Sequence, residues 1–191
     1  MPRIRMVEYE TASPDERTTL DWIVGRYGRA TNMKRTLARS PVALRAMMVW
    51  YDLHDAVRPI LGERLTAIFC HAISAQSDCL ICSTYFRRDL FEAGENPDEL
   101  RLDDREETVV AFGLQVTKDS NAVDDALYVR LGTYFSEEQI VDLTAFAAQM
   151  IATNVFNNAL DIRLDDELER YRLRPSVSSS AGSASSEAVR G

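Results

Sequence analysis

The sequence predicts an all-α protein, on three observations. First, Ser13-Pro14-Asp15-Glu16 and Ser136-Glu137-Glu138-Gln139 both have the form of a capping box. In that motif the Ser hydroxyl accepts from the amide three residues on, and the Glu or Gln side chain reaches back to the Ser amide. Second, apolar residues recur at three- and four-residue spacing through several long segments, as one face of a helix requires. Third, no run alternates apolar and polar residues at strand spacing.

Taken in order, Ser13 caps a helix of about fifteen residues, with Pro14 at its first position, where a missing amide hydrogen costs nothing. Ser40-Pro41 opens a second, long helix through Leu44, Met47, Met48, Tyr51 and Leu53, predicted to end near Pro59. A third runs from about Gly62 to Gln76, with Leu65, Ile68, Phe69, Ala72 and Ile73 on its apolar face. Ser77-Asp78 breaks it and caps a fourth, which begins at Cys79 and closes at Gly94, a residue suited to the left-handed conformation that ends helices. Asp103-Asp104 starts a fifth with Val109, Phe112, Leu114 and Val116. A shorter sixth spans about Val123 to Leu131. Ser136 opens a helix with Ile140, Leu143, Ala147, Met150, Ile151, Asn154 and Val155 on one stripe. The expected organisation is one helical domain over residues 1–173 and a disordered Ser-rich tail over 174–191, whose composition buries too little apolar surface to offset its ordering entropy.

Composition narrows the function. The chain has 191 residues, 46% of them hydrophobic, enough for one ordinary core. A net charge of −8 argues against nucleic acid or an anionic membrane as a partner, since both call for clustered positive charge. No apolar segment reads as a signal peptide or a membrane span, so a cytoplasmic location is expected. In reducing surroundings Cys70, Cys79 and Cys82 do not read as a disulfide framework.

Cys79-Leu80-Ile81-Cys82 carries the chemistry. Residues three apart share a helix face, so the two thiols are neighbours. Near a helix N-terminus, unpaired amides and the helix dipole favour the thiolate. Such a dithiol can attack a peroxide or a disulfide and close to a disulfide of its own. Two buried helix cysteines acting as small hydrophobes is the alternative. Zinc is a weaker one. Cys70 and His71 are adjacent on a helix, about 100° apart, and do not easily face one ion. No metal and no cofactor is expected.

With the CxxC placed in its hairpin, the chain resembles the carboxymuconolactone decarboxylase family, in its alkylhydroperoxidase D-like branch. Ser74 lies five residues before Cys79, and Leu90 and Gly94 close the post-motif helix as in that branch. The segment Phe135 to Leu143 looks like its second capped helix, and Thr153 to Leu160 like its close. The resemblance spans roughly Arg35 to Leu164. It implies an alkylhydroperoxidase D-like helical bundle with a CxxC hairpin, a homo-oligomer (trimer or hexamer), a peroxide or disulfide substrate, and a separate protein or small-thiol reductant. It also implies Cys82 as the thiol that is oxidised first and Cys79 as its partner.

The branch's fuller motif is a Glu followed by CxxCxxxH, and here this chain departs. Phe86 stands at the histidine position and Ala67 at the glutamate position, and neither moves protons. Glu63, Ala67 and His71 form one stripe at four-residue spacing on the preceding helix. On that basis His71 is a candidate general base or proton shuttle, with Glu63 orienting it; a satisfied polar His71 at a helix or subunit contact is the competing reading. Tyr85 is a second nearby donor, or a packing residue.

Other residues read more plainly. His54 belongs to a helix surface. Arg87 and Arg88 either raise thiolate character or face water. Trp22 and Trp50, with Met47 and Met48, read as core or subunit-interface packing. Three functions follow: a thiol-dependent peroxidase or disulfide reductase on Cys79 and Cys82, a decarboxylase or lactone-processing enzyme, or a non-catalytic or regulatory oligomer that has lost its proton relay.

Overall fold

The computed structural model describes residues 2–173, and the predicted disordered tail lies outside them. The described residues form helices joined by turns, with no strand among them. The helices are α1 (Pro14–Tyr27), α2 (Asn32–Leu37), α3 (Pro41–Leu61), α4 (Glu63–Gln76), α5 (Leu80–Glu92), α6 (Asp104–Lys118), α7 (Asp125–Tyr134) and α8 (Glu137–Ala159). Short 3-10 turns occur at Tyr9–Thr11, Ser120–Ala122 and Asp166–Tyr171. Both predicted capping boxes form, at Ser13 and at Ser136, and a third forms between Asp103 and Glu106.

The differences from expectation are local. α3 runs to Leu61, past Pro59, which sits in the last turn and costs one backbone hydrogen bond there. The turn after it falls at Gly62, whose φ of 83° suits glycine. α7 is displaced towards the C-terminus, with Asp124 capping it by accepting from the Leu127 amide at 2.7 Å. α2, six residues capped by Thr31, has no counterpart in the predicted elements, being too short to show periodicity.

The α4–α5 turn also differs, and it sets the thiol geometry. Asp78 is not the N-cap of α5. It has φ of 51° and ends α4 in the left-handed conformation. Its amide donates to the Ala75 carbonyl at 3.1 Å, and the Cys79 amide donates to the Ser74 carbonyl at 3.0 Å. This pair of bonds is a Schellman closure. The next residue, Cys79, is itself the N-cap of α5. A second closure of the same kind, at Gly94, ends α5 as predicted, with Glu95 donating to Leu90 at 2.9 Å and Gly94 to Phe91 at 3.0 Å.

Packing divides into two apolar clusters. The larger one is built around Phe69, Ile73, Leu131, Leu143, Phe146 and Met150 from the α4–α8 half of the chain. α4 lies at its centre, against α3, α5, α6 and α8. The smaller one joins Val7, Leu20, Ile23 and Leu37 from the N-terminal elements to Leu44 and Met48. α3 belongs to both, since its Val57 and Leu61 lie in the larger cluster. Among the described residues no helix is long and apolar enough to cross a membrane.

Candidate thiol site

Cys79 and Cys82 occupy the N-cap and third position of α5 and are both buried and unbridged. α8 supplies the residue that faces them. Asn157 Nδ2 donates to Cys82 Sγ at 3.2 Å and lies 3.9 Å from Cys79 Sγ. Asn157 is 2% exposed, and its Oδ1 has no hydrogen-bond partner, so the amide is committed to the sulfurs. Its backbone is fixed by the turn that ends α8. There Ile162 donates to the Asn157 carbonyl at 3.1 Å, and Asp161 takes a φ of 50°.

The two thiols have opposite acidities. Cys79 is held down at about 7, first by the hydrogen bond it receives from the Cys82 thiol, against the cost of burial. The Cys82 and Ile81 amides at the open end of α5, and Asn157, add to this, although the sulfur makes no regular cap hydrogen bond. Cys82 is pushed well up, by donating to Cys79 and by burial. The pair thus favours one shared proton, with the thiolate on Cys79 and the hydrogen on Cys82.

A cavity of about 140 Å³ opens beside Cys82, at the seam between the two apolar clusters. Cys82, Tyr85 and Phe86 from α5, Trp50 and Tyr51 from α3, and Asn157 from α8 are among its walls. Cys79 is 1% exposed and stands behind Cys82, away from the cavity lining. Trp50, read as core or subunit-interface packing, packs against the larger cluster and also forms a cavity wall, held by Nε1 donating to Met150 Sδ at 2.7 Å and by His54 stacked at 4.8 Å between ring centroids. Phe86, at the histidine position of the CxxCxxxH motif, fills a wall position and is 6% exposed.

Of the four sequence candidates, Cys79 and Cys82 share the Asn157 amide, while the hydrogen bonds of His71 and Glu63 go to Ser83 and Arg58 rather than to a sulfur. Glu63 is exposed and pairs with Arg58 Nη1 at 2.8 Å. His71 points its Nδ1 at the Ser83 carbonyl, 3.0 Å away. A carbonyl only accepts, so this nitrogen carries the hydrogen. Burial lowers the His71 pKa and keeps the ring neutral. His71 therefore ties α4 to the first turn of α5, where Ser83 also bonds the Cys79 carbonyl through its amide at 2.9 Å and its hydroxyl at 2.7 Å. Neither His71 nor Glu63 lines the cavity.

Arg87 neither touches the thiols nor faces water. It is buried and forks onto Asp98, with Nη1 at 2.6 Å from Oδ1. Arg88 pairs with Asp89 at 2.6 Å and covers the Tyr85 ring at 4.1 Å. Trp22, read as core or subunit-interface packing, is not a core residue: it is exposed and meets the edge of the Tyr27 ring at 5.6 Å. Among the described residues no three His, Cys, Asp or Glu side chains converge at metal-ligand spacing.

Sequence reasoning missed Asn157, and it missed Lys34, which lines the cavity from α2. The signal for Asn157 was available: Asn154 and Asn157 are amides on the apolar face of α8, and polar groups buried there need partners. Lys34 gave no signal, because α2 is too short to define a face.

No family model and no curated protein matches the chain. Solved structures do, and they show the fold: an alkylhydroperoxidase D-like helical bundle. One is an alkylhydroperoxidase AhpD core, an uncharacterized peroxidase-related protein from Ralstonia eutropha. It is 23% identical over 87% of this chain and 94% of that one, with a TM-score of 0.62. Another is a cysteine-to-alanine variant of the debrominase Bmp8 in complex with 2,3,4-tribromopyrrole, 17% identical over 88% and 94%, with a TM-score of 0.71. A third is an uncharacterized peroxidase-related protein from Silicibacter sp., 16% identical over 90% and 100%, with a TM-score of 0.66.

Proposed function

We propose that the protein is a thiol-dependent peroxidase that reduces organic hydroperoxides with the Cys79–Cys82 pair. One observation carries the reading: a buried, unbridged thiol pair, held by the Asn157 amide, presents Cys82 to a largely apolar cavity. The peroxidase-related structural neighbours support it at the level of fold.

The pair accounts for the missing relay. Cys82 attacks the outer oxygen of the hydroperoxide as its proton passes to the Cys79 thiolate. The O–O bond breaks, Cys82 becomes a sulfenic acid, and the alkoxide leaves and takes a proton from water. The Cys79 sulfur then attacks Cys82 Sγ, its proton leaves with the hydroxyl as water, and the disulfide closes. A separate dithiol or small-thiol reductant restores both thiols with two electrons. Phe86 and Ala67 need do nothing, since Cys79 moves the proton. In this scheme His71 and Glu63 are not the base. His71 positions α5 through Ser83, and Glu63 remains in its surface pair.

The test is a stoichiometric titration of reduced protein with cumene hydroperoxide, followed by thiol counting and peptide mass spectrometry. The expected result is a Cys79–Cys82 disulfide with Cys70 still free. Thiols that survive a several-fold excess of hydroperoxide would refute the proposal.

A further inference from the structure

The cavity beside Cys82 carries charge that the thiol chemistry does not use. Lys34, from α2, lines it, and the residue is 5% exposed. Lysines are almost never so buried unless paired. Yet among the described residues no hydrogen bond or ion pair holds this ammonium. Its neighbours are ring faces, Tyr27 at 4.5 Å and Tyr51 at 5.1 Å, themselves stacked at 4.4 Å. Burial lowers its pKa to about 8, and the nearby Arg29 charge pushes the same way.

Arg29 lines the same cavity. Its Nη1 pairs with Glu167, while its Nη2 is buried without an acceptor. Asp165 is the one carboxylate on the wall, and it accepts from the Asn32 amide at 2.8 Å rather than closing an ion pair with Lys34. Two cationic donors near each other, both short of an acceptor, describe a place for an anion with two oxygens.

The rest of the wall describes the body of that ligand. Met47, Met48, Trp50, Phe86 and Met150 are apolar and several are adaptable thioethers. A cavity of about 140 Å³ suits a single ring, since roughly 150 Å³ accommodates benzene.

We infer that this cavity binds a small monocarboxylic acid with a ring-sized apolar body, its carboxylate anchored by Lys34 and Arg29 and its body laid against Trp50 and Phe86 beside Cys82. The inference rests on the peroxidase reading only for the reactive group. The natural oxidant is then a hydroperoxide that bears such a carboxylate, and it is turned over with the same atom balance as above.

Binding and chemistry are tested separately. Calorimetry on the reduced full chain compares benzoate with benzamide, its neutral isostere, and with phenol, an uncharged ring bearing a different acidic group. Benzoate is expected to bind at least tenfold more tightly than either. That preference should collapse in Lys34→Met and shrink in Arg29→Gln, two variants whose folding is checked by circular dichroism and of which either one suffices. Benzamide or phenol binding as well as benzoate, or no binding of benzoate, overturns the inference whatever the thiols do. In the chemical arm, 4-carboxy-cumene hydroperoxide should oxidise the thiols with a lower KM than cumene hydroperoxide, and Lys34→Met should remove that difference. Benzoate binding with thiols inert to both hydroperoxides would sink the peroxidase reading and leave the acid site standing.

Discussion

Asn157 on α8 donates its side-chain amide to Cys82 Sγ on α5, at 3.2 Å, across the packed interior of the bundle. A neutral amide donor stabilises negative charge on sulfur without adding a charge of its own. It also holds the two sulfurs on one side of α5, where the shared proton can move between them.

The pair should therefore titrate as a unit. Absorbance of thiolate at 240 nm is expected to show one ionisation with an apparent value near 7 and no second one until much higher pH. Cys82→Ser, which alters the leading hydrogen bond to Cys79, should move the first ionisation upward. Asn157→Leu should do the same more weakly, and slow thiol loss to cumene hydroperoxide several-fold while the far-ultraviolet spectrum is kept. An unchanged titration in Asn157→Leu would remove the amide from the account.

His71 gives a pH dependence of stability. Burial holds its folded pKa below the ordinary imidazole value of 6.5, so the unfolded chain binds the proton more readily. Stability rises with pH wherever the unfolded state holds more protons. The His71 contribution is thus present above about pH 6.5 and is lost as pH falls from there towards the folded value. Urea midpoints of the parent should drop between pH 7.5 and 5.5 more steeply than those of His71→Gln. Equal slopes would show that the ring is not held neutral against Ser83.

At Gly113 α6 packs directly against Phe69 and Ile73 of α4. A Cβ there would stand 2.6 Å from Phe69 Cε2 and 3.1 Å from Ile73 Cγ1, both in the buried core. Gly113→Ala should cost about 1–3 kcal/mol by overpacking. Gly132→Ala, on α7 with nothing within 4 Å of the new methyl, should instead stabilise by about 0.5–1 kcal/mol. Chemical denaturation of the two variants checks both signs, and a neutral Gly113→Ala would mean that α6 can slide on α4.

Asp78 holds a left-handed conformation that a side chain tolerates only at a cost. Asp78→Gly should raise stability, by up to about 1 kcal/mol, and leave the thiol titration in place. Asp78→Val should lower it by about 1–2 kcal/mol, because a β-branched residue resists φ of 51°. Thermal melts read both; a gain with Val would contradict the turn.

How much of this the sequence carries depends on how local each feature is. The capping boxes at Ser13 and Ser136 and the glycine closure at Gly94 use hydrogen bonds spanning a few residues, so each can be read directly. The CxxC hairpin is legible for the same reason. Asp78 shows the limit even at short range: as an acidic residue before a helix it reads as a cap, while the Ser74 and Ala75 carbonyls claim the turn first. The cavity is less legible still. Lys34 and Asn157 line one cavity from elements more than a hundred residues apart, and Trp50 lines it from a third. The His71 stripe was correctly spaced along α4, but α5 crosses it at Ser83 rather than at either sulfur, which spacing within one helix cannot foretell.

The seam between the two apolar clusters has a consequence for cooperativity. The cavity is walled on one side by Tyr27 and Lys34 from the N-terminal elements and on the other by Cys82 and Met150 from the main bundle. Among the described residues α3 runs through both clusters, and from α8 Phe156 alone packs against the smaller one. The N-terminal cap can then open as a sub-global unit, exchanging its amide hydrogens while α4–α8 stay protected. Anything lodged in the seam touches both units and joins their opening into one event. Occupancy beside a sulfur on α5 would be legible as slowed deuterium uptake in α1 and α2, on the far bank of the cavity from the chemistry.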